Sequence, residues 1–467
     1  MWDTKPVKKS LPCILDTMIS ANDFGKDFLW GVGISAPQNE GGALEDGRGN
    51  SVWDVFSRRV TAIRGGAKPT VASDFYHRYK DDLLLAKALG FRAFRFSISW
   101  SRILPGGTGK INPAGLKFYH AVIDECIFLG LTPVVTLYHW DLPQALQKEG
   151  GWANHQILKW FARYVKICVQ EFSPKVRYWI IMNEPFAFTS LGYMTGLHAP
   201  GKMSVQSFYL AAHHTALCTA EAARIIREID ASAIIGSSFS FSEIHPHKNN
   251  SNDERAAAKA DLLLNRFFLE PALGMGFPMM DGFPIVEKFH LFNRSWRFQE
   301  AMKCELDFIG FQNYFPVTVR HNPLVPYIAT SEVSAKSRKV PHTLLGWEIN
   351  AASCYRMLHR VAEYPGVKKI IITEGGCAEK ESLQPGKVAD PLRISYFQQY
   401  LQAVLQAKKE GVNVDGYFVW TLTDNFEWAF GFTARFGLVR VDFTSQLRTI
   451  KDSGFWFRDF LTGRAET

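Results

Sequence analysis

Several things are scarce in this chain of 467 residues. Its seven cysteines, Cys13, Cys126, Cys168, Cys218, Cys304, Cys354 and Cys377, are odd in number, widely spaced and without a C-x-x-C pair. That pattern argues against a disulfide framework and predicts reduced, buried thiols in an intracellular, cytoplasmic protein. No stretch approaches the apolar length of a membrane span, so no membrane partner is expected. Lys8-Lys9 precede Leu11-Pro12-Cys13-Ile14-Leu15 as in a signal peptide, but Asp16 interrupts the apolar run too early. Residues 1–22 therefore read as an extension ahead of one folded domain over 23–467, which contains no Ser/Gly linker, low-complexity tract or short repeat. Metal-ligand spacings such as H-E-x-x-H are missing, and no cofactor is expected. The net charge is +8, yet the 53 basic residues are scattered, with only short groups such as Lys368-Lys369 and Lys408-Lys409. A chain without a basic stripe offers nothing to track phosphates, which argues against a nucleic-acid partner.

Apolar residues and aromatics are abundant: 47% of the chain is hydrophobic, with 13 Trp, 15 Tyr and 36 Phe. Most of these rings suit core filling, although indole faces also stack on sugars. Eight apolar, β-branched or aromatic runs stand out, at 28–35, 92–99, 132–139, 176–183, 233–241, 307–314, 368–374 and 415–421. Their short, continuous character fits strands buried on both faces of a parallel sheet. Helical periodicity lies between them, at 83–90, 114–130, 155–171, 206–229, 255–273, 347–363 and 393–410, and Gly90 has the look of a C-cap. Strand alternating with helix predicts a single (β/α)₈ TIM barrel, whose chemistry sits at the C-terminal strand ends. The stretches 242–306 and 315–346 exceed a simple connection and are expected to extend the loops on that face.

The strand ends carry unusual residues. The fourth and seventh runs close on Met182-Asn183-Glu184-Pro185 and Thr373-Glu374-Gly375. Two carboxyls facing each other across a cleft can cut a glycosidic bond, one giving a proton to the leaving oxygen and the other attacking the sugar carbon. The other ends bring Gln38-Asn39-Glu40, Arg95, His139-Trp140-Asp141, Gln312-Asn313-Tyr314, and Trp420 followed by Asp424-Asn425-Phe426-Glu427-Trp428. Singly these have bland explanations: Arg95 could pair with a buried carboxylate, His139 could be a core histidine, and His213-His214 do not share a helix face. Core packing does not explain why polar and aromatic groups gather at one end of nearly every strand.

Residues 25–460 resemble glycoside hydrolase family 1, the β-glucosidase family, through FLWGVGISAPQNEG, EDGRGNSVWDVF, FRFSISWSRILP, LYHWDLPQAL, IMNEP, DFIGFQNY, ITEGG and WTLTDNFEWAFGFTARFGLVRVD in the family's order. The resemblance implies a retaining β-glycosidase, most simply a β-glucosidase, with Glu184 as acid/base and Glu374 as nucleophile. It implies a β-linked glycoside or oligosaccharide substrate, bound by Gln38, His139, Trp140, Asn183, Gln312, Tyr314, Trp420, Glu427, Trp428 and Phe436. Arg95 and Tyr314 would stand beside the nucleophile, and the charge of Glu374 would raise the pKa of Glu184. Oligomeric state stays open.

The chain departs from the family's usual residues at Gly375 (usually Asn), Pro37 (usually Tyr or Phe) and Gln312 (usually Asn). Other readings have the same resemblance: a transglycosidase using the same glycosyl-enzyme, a non-catalytic klotho-like binding module, and a 6-phospho-glycosidase. Both glutamates speak against the binding module, and Glu427 against a phosphorylated sugar.

Overall fold

The computed structural model describes residues 19–292 and 300–463. Residues 1–18 of the expected extension therefore lie outside the described residues; Ile19 and Ala21 pack against the core. The strands are β1 (Leu29–Gly33), β2 (Ala93–Ser97), β3 (Thr132–Tyr138), β4 (Tyr178–Asn183), β5 (Ile234–Ser240), β6 (Phe308–Gln312), β7 (Ile370–Gly375) and β8 (Val414–Trp420). They close into a parallel barrel in sequence order, with β1 completing the ring against β8. Every expected strand is present, with its ends within two residues of those expected.

Helices α1 (Phe75–Ala88), α2 (Pro113–Phe128), α3 (Ile157–Phe172) and α4 (Val205–Ile229) follow the first four strands. Gly90 ends the first of these connections at φ +86°, a backbone region that suits a residue without Cβ. Beyond β5 the long helix expected over 255–273 is instead α5 (Ser251–Asp261), a π turn over Leu262–Arg266, and a short turn over Leu269–Ala272, followed by α6 (Pro284–Phe292). Helix α7 (Ala351–Ala362) begins later than expected, leaving Trp347 in a loop, and α8 (Pro391–Lys409) follows β7. Helix α9 (Asp452–Thr462) was not singled out in the sequence, although Phe457 and Phe460 pack on one side of it. The two long stretches do more than cover the barrel mouth. Residues 244–246 pair in parallel with 317–319, so the loops after β5 and β6 share a small sheet.

Two apolar layers hold the barrel. A large one fills the space between strands and helices, including Trp179, Ile181 and Met182 of β4 and Ile370 and Ile372 of β7. A small plug inside the barrel comes from Ala93, Val134, Ile180, Phe308, Ile371 and Phe418. Side chains two residues on share a strand face, so Arg95, Thr136, Gln312, Thr373 and Trp420 stand on the same side as this plug, toward the C-terminal end. The six described cysteines are buried free thiols. Among the described residues no helix is long and apolar enough to cross a membrane.

Candidate active site

Irregularities at the ends of β4 and β7 aim the two glutamates. Along β4, Ile180 points inward while Ile181 and Met182 both join the outer layer, and the pairing with β5 shifts between Ile180 and Asn183. Along β7, the pairing with β6 shifts between Ile372 and Glu374. Each irregularity changes the in/out alternation, as bulges do, and turns Asn183 and Glu374 into the barrel mouth. Glu184 itself takes a left-handed backbone (φ 46°, ψ 67°) at the start of a short helix over Pro185–Thr189. Trp140 (φ 77°) and Trp428 (φ 45°) share that sparsely populated region, which costs energy in any residue with a Cβ.

Arg95, fully buried, organises the floor. Its Nη1 donates to Glu374 Oε1 at 2.6 Å and to Thr373 O at 2.8 Å. Its Nη2 donates to Asn183 Oδ1 at 2.6 Å and its Nε to Thr136 Oγ1 at 3.2 Å. The second carboxylate oxygen of Glu374 accepts from the Tyr314 hydroxyl at 2.8 Å. Burial and the charge of Glu374 push the Tyr314 phenol well above its ordinary range, so it stays a donor. Glu184 is different: burial first, and then the charge of Glu374, raise its pKa to about 8, against a lowering hydrogen bond from Ser240. The two carboxyls thus have different environments: Glu374 is clamped by a cation and a phenol, and Glu184 is protonated at neutral pH.

The amide network fixes its own orientation. Asn183 Oδ1 also accepts from Gln312 Nε2 at 2.8 Å, so Asn183 Nδ2 faces His139 Nε2 at 3.1 Å. Burial and the nearby Arg95 push His139 well below its ordinary pKa. It is therefore neutral, with Nε2 accepting and Nδ1 carrying the proton. Glu427 accepts from Gln38 Nε2 at 3.1 Å, and burial with the charges of Glu374 and Glu184 raises it to about 8. Indoles and rings enclose these groups. Trp140 stacks on Trp428 at 4.5 Å, and its Nε1 donates to the Asn183 carbonyl at 2.8 Å. His139 lies 5.8 Å from Trp420 and 5.9 Å from Trp428, and Phe436 packs with Trp420.

The structure brings the residues selected for catalysis and sugar binding to one end of the barrel, whereas several neighbours in the same strand-end motifs serve structural bonds: Asn313 Nδ2 donates to Phe241 O at 2.9 Å, and Asp424 accepts from Arg435 and Lys451. Glu40 turns away to accept from Arg102 and Tyr119, and Asn39 donates to Ser73 and Thr423. Trp347, 5.4 Å from Tyr314, was missed because it lies in a loop, and Ser240, the last residue of β5, was missed because no polar and aromatic motif was singled out at that strand's end. Two departures gain physical reasons. A Cβ on Gly375 would lie 2.3 Å from the Tyr417 hydroxyl, so Tyr417 fills the space of a longer side chain there. Pro37 sits in the first turn of a short helix over Ala36–Asn39, where a missing N–H costs little. Among the described residues, no group of three or more His, Cys, Asp or Glu could hold a metal.

Comparison with known proteins agrees with this geometry. The profile of Glycosyl hydrolase family 1 matches residues 20–465. A 1,4-β-D-glucan glucohydrolase of Thermotoga neapolitana is 38% identical, covering 95% of this chain and 99% of its own. A 6-phospho-β-galactosidase of Clostridium acetobutylicum is 32% identical over 94% of this chain and 96% of its own. The solved family 1 β-glucosidase of Thermotoga maritima superposes with a TM-score of 0.89 at 37% identity, covering 95% of this chain and 99% of that one. The chain belongs to glycosyl hydrolase family 1 and is a glycoside hydrolase.

Proposed function

We propose that this enzyme is a retaining β-glycosidase that releases non-reducing terminal β-D-glucosyl residues, with residues 23–467 as its catalytic domain, Glu184 as acid/base and Glu374 as nucleophile. The observation that carries this is the unequal environment of the two carboxyls: Arg95 and Tyr314 bind Glu374, while Glu184 is raised to about 8. A carboxylate of Glu374 attacks the anomeric carbon as Glu184 gives its proton to the departing glycosidic oxygen. The resulting ester no longer carries the negative charge that raises Glu184. The acid strength of Glu184 then rises, it deprotonates, and it can take a proton from the water that attacks the glycosyl-enzyme. Two displacements on opposite faces return the original configuration.

The sugar would lie between the Trp420 and Trp428 indoles and the amides and carboxyls around them. Asn183 spends both acceptor positions on Arg95 and Gln312 and one Nδ2 hydrogen on His139, leaving one for a sugar hydroxyl. His139 Nδ1 has no protein partner and faces the same task. One relative's name specifies a 6-phosphorylated sugar and others a glucoside or glucan. Glu427 favours the unphosphorylated class. Its partners are the Gln38 amide and the Trp420 indole, neither a cation, and it already feels the charge of Glu374. The test is turnover of 4-nitrophenyl β-glucoside and its 6-phosphate, each with and without EDTA. Hydrolysis of the first, insensitive to EDTA, with the second much poorer, is expected; preference for the phosphate would refute the reading of Glu427.

A further inference from the structure

We propose that the leaving group this enzyme accepts best is an apolar aglycone, aromatic or alkyl, seated in a pocket of its own beside Glu184, rather than a second sugar. The inference rests on Glu184 being the acid, because the group that receives its proton must lie on its side of the bond.

Glu184 and its hydrogen-bond partner Ser240 form part of the wall of a pocket of about 180 Å³. The remaining lining is mostly apolar and includes Phe186, Phe239, Leu264, Phe268 and Leu269. Its other polar side chains are already committed. Ser190 Oγ donates to the Phe186 carbonyl at 2.7 Å. Asn265 Nδ2 donates to Ser242 O at 2.8 Å and to Asp261 Oδ1 at 2.7 Å, while its Oδ1 accepts from Ser242 N at 2.9 Å. A sugar entering this pocket would strip water from several hydroxyls and find few partners. An alkyl chain or aromatic ring loses nothing and gains burial against phenyl and leucyl groups. The contrast is sharp with the mouth of the barrel, where His139 Nδ1 and Gln312 Oε1 keep free positions suited to hydroxyls. The long loop after β5 makes the pocket: Leu264 and Asn265 belong to the π turn that interrupts the expected helix, and Phe268 and Leu269 follow it.

The test compares kcat/KM for hexyl β-glucoside, cellobiose and β-glucosyl fluoride on the full-length enzyme. A sugar hydroxyl is a better leaving group than a simple alcohol, so intrinsic reactivity favours cellobiose. The pocket predicts the reverse, with the hexyl glucoside ahead by roughly tenfold or more. Equal or better turnover of cellobiose would overturn the proposal. Fluoride needs no pocket and reports the glucosyl site alone. No hydrolysis of the fluoride would reject the glucosidase reading itself, whereas good fluoride turnover with cellobiose preferred over the hexyl glucoside would reject only the pocket. As a second measurement, Leu269→Trp should lower kcat/KM for the hexyl glucoside about tenfold and leave the fluoride within about twofold. An equal effect on both substrates, or no effect on either, would also count against the pocket.

Discussion

Among single residues, Arg95 makes the sharpest prediction. Its guanidinium reaches Glu374, Thr373 and Asn183 at once, a fork that a lysine ammonium cannot reproduce. Arg95→Lys is therefore expected to cut kcat/KM by about 100-fold or more, with the loss mainly in kcat. A change in KM alone would mean that Arg95 serves binding rather than the nucleophile. Glu184 sets the alkaline limb: protonated below about 8, it donates, and above that it cannot. The pH profile of kcat/KM for an alkyl glucoside should fall through about pH 8, and Glu184→Gln should abolish that limb together with most activity. An alkaline limb that survives in the variant would assign it to another group. These residues were legible in the sequence because Arg95 interrupts a buried strand-like run and Glu184 directly follows one. Trp347 was not, since it occupies a loop whose position depends on packing against Tyr314 and Phe436 rather than on local pattern.

Among elements, the fit of β7 against β8 is tight where Gly375 meets the Tyr417 hydroxyl. Gly375→Ala should lower stability by about 1–3 kcal/mol through overpacking, read from the denaturant midpoint. Tyr417→Phe, removing a buried hydroxyl without a protein partner, should be close to neutral alone and recover part of the loss in the double variant. Strict additivity would show that the two sites do not touch. The segment after β8 depends on Asp424, fully buried, which accepts from Arg435 Nη1 at 2.6 Å, Lys451 Nζ at 2.7 Å and Gly437 N at 3.1 Å. Its carboxyl is pulled below the usual range by Lys451 and Arg435 against the opposing effect of burial. Asp424→Ala, which leaves the buried Lys451 and the partly buried Arg435 short of a partner, should cost about 3–5 kcal/mol and raise KM, because Glu427 and Trp428 ride on the same segment. Unchanged KM in the folded variant would separate the network from the site. Strand positions were readable from apolar runs, but the irregularities in β4 and β7 were not. They arise from pairing with neighbouring strands, which no single run records. The same holds for the helix expected over 255–273, which a π turn breaks where the loop builds a pocket.

At the scale of the whole molecule, the barrel was legible because eight buried runs alternate with helical segments, and a parallel sheet needs that order. The pairing of the loops after β5 and β6 was not, since residues 244–246 and 317–319 are short and far apart in sequence. The converging carboxyls also leave a mark on global stability. Glu184 and Glu427 are raised from 4.5 to about 8 in the folded protein, so between those values the native state binds more protons than the unfolded chain. Stability from these groups is fully present below about 4.5 and is lost as pH rises through about 8. A Glu184→Gln/Glu427→Gln variant should therefore gain on the order of a few degrees in Tm over the parent at pH 9 and little at pH 5, by scanning calorimetry. A gain independent of pH would rule out the titration as its cause. The central claim, that Glu184 and Glu374 act on opposite faces of the anomeric carbon, is tested most directly by azide rescue with a 2,4-dinitrophenyl β-glucoside. Glu374→Ala with azide should give the α-glycosyl azide, because the anion attacks from the vacated nucleophile's side. Glu184→Ala with azide should give the β-glycosyl azide, because the anion attacks a glycosyl-enzyme already formed on Glu374. The anomeric configuration of the two products, read by proton NMR, decides the matter: opposite configurations are predicted, and the same configuration from both variants would contradict the account.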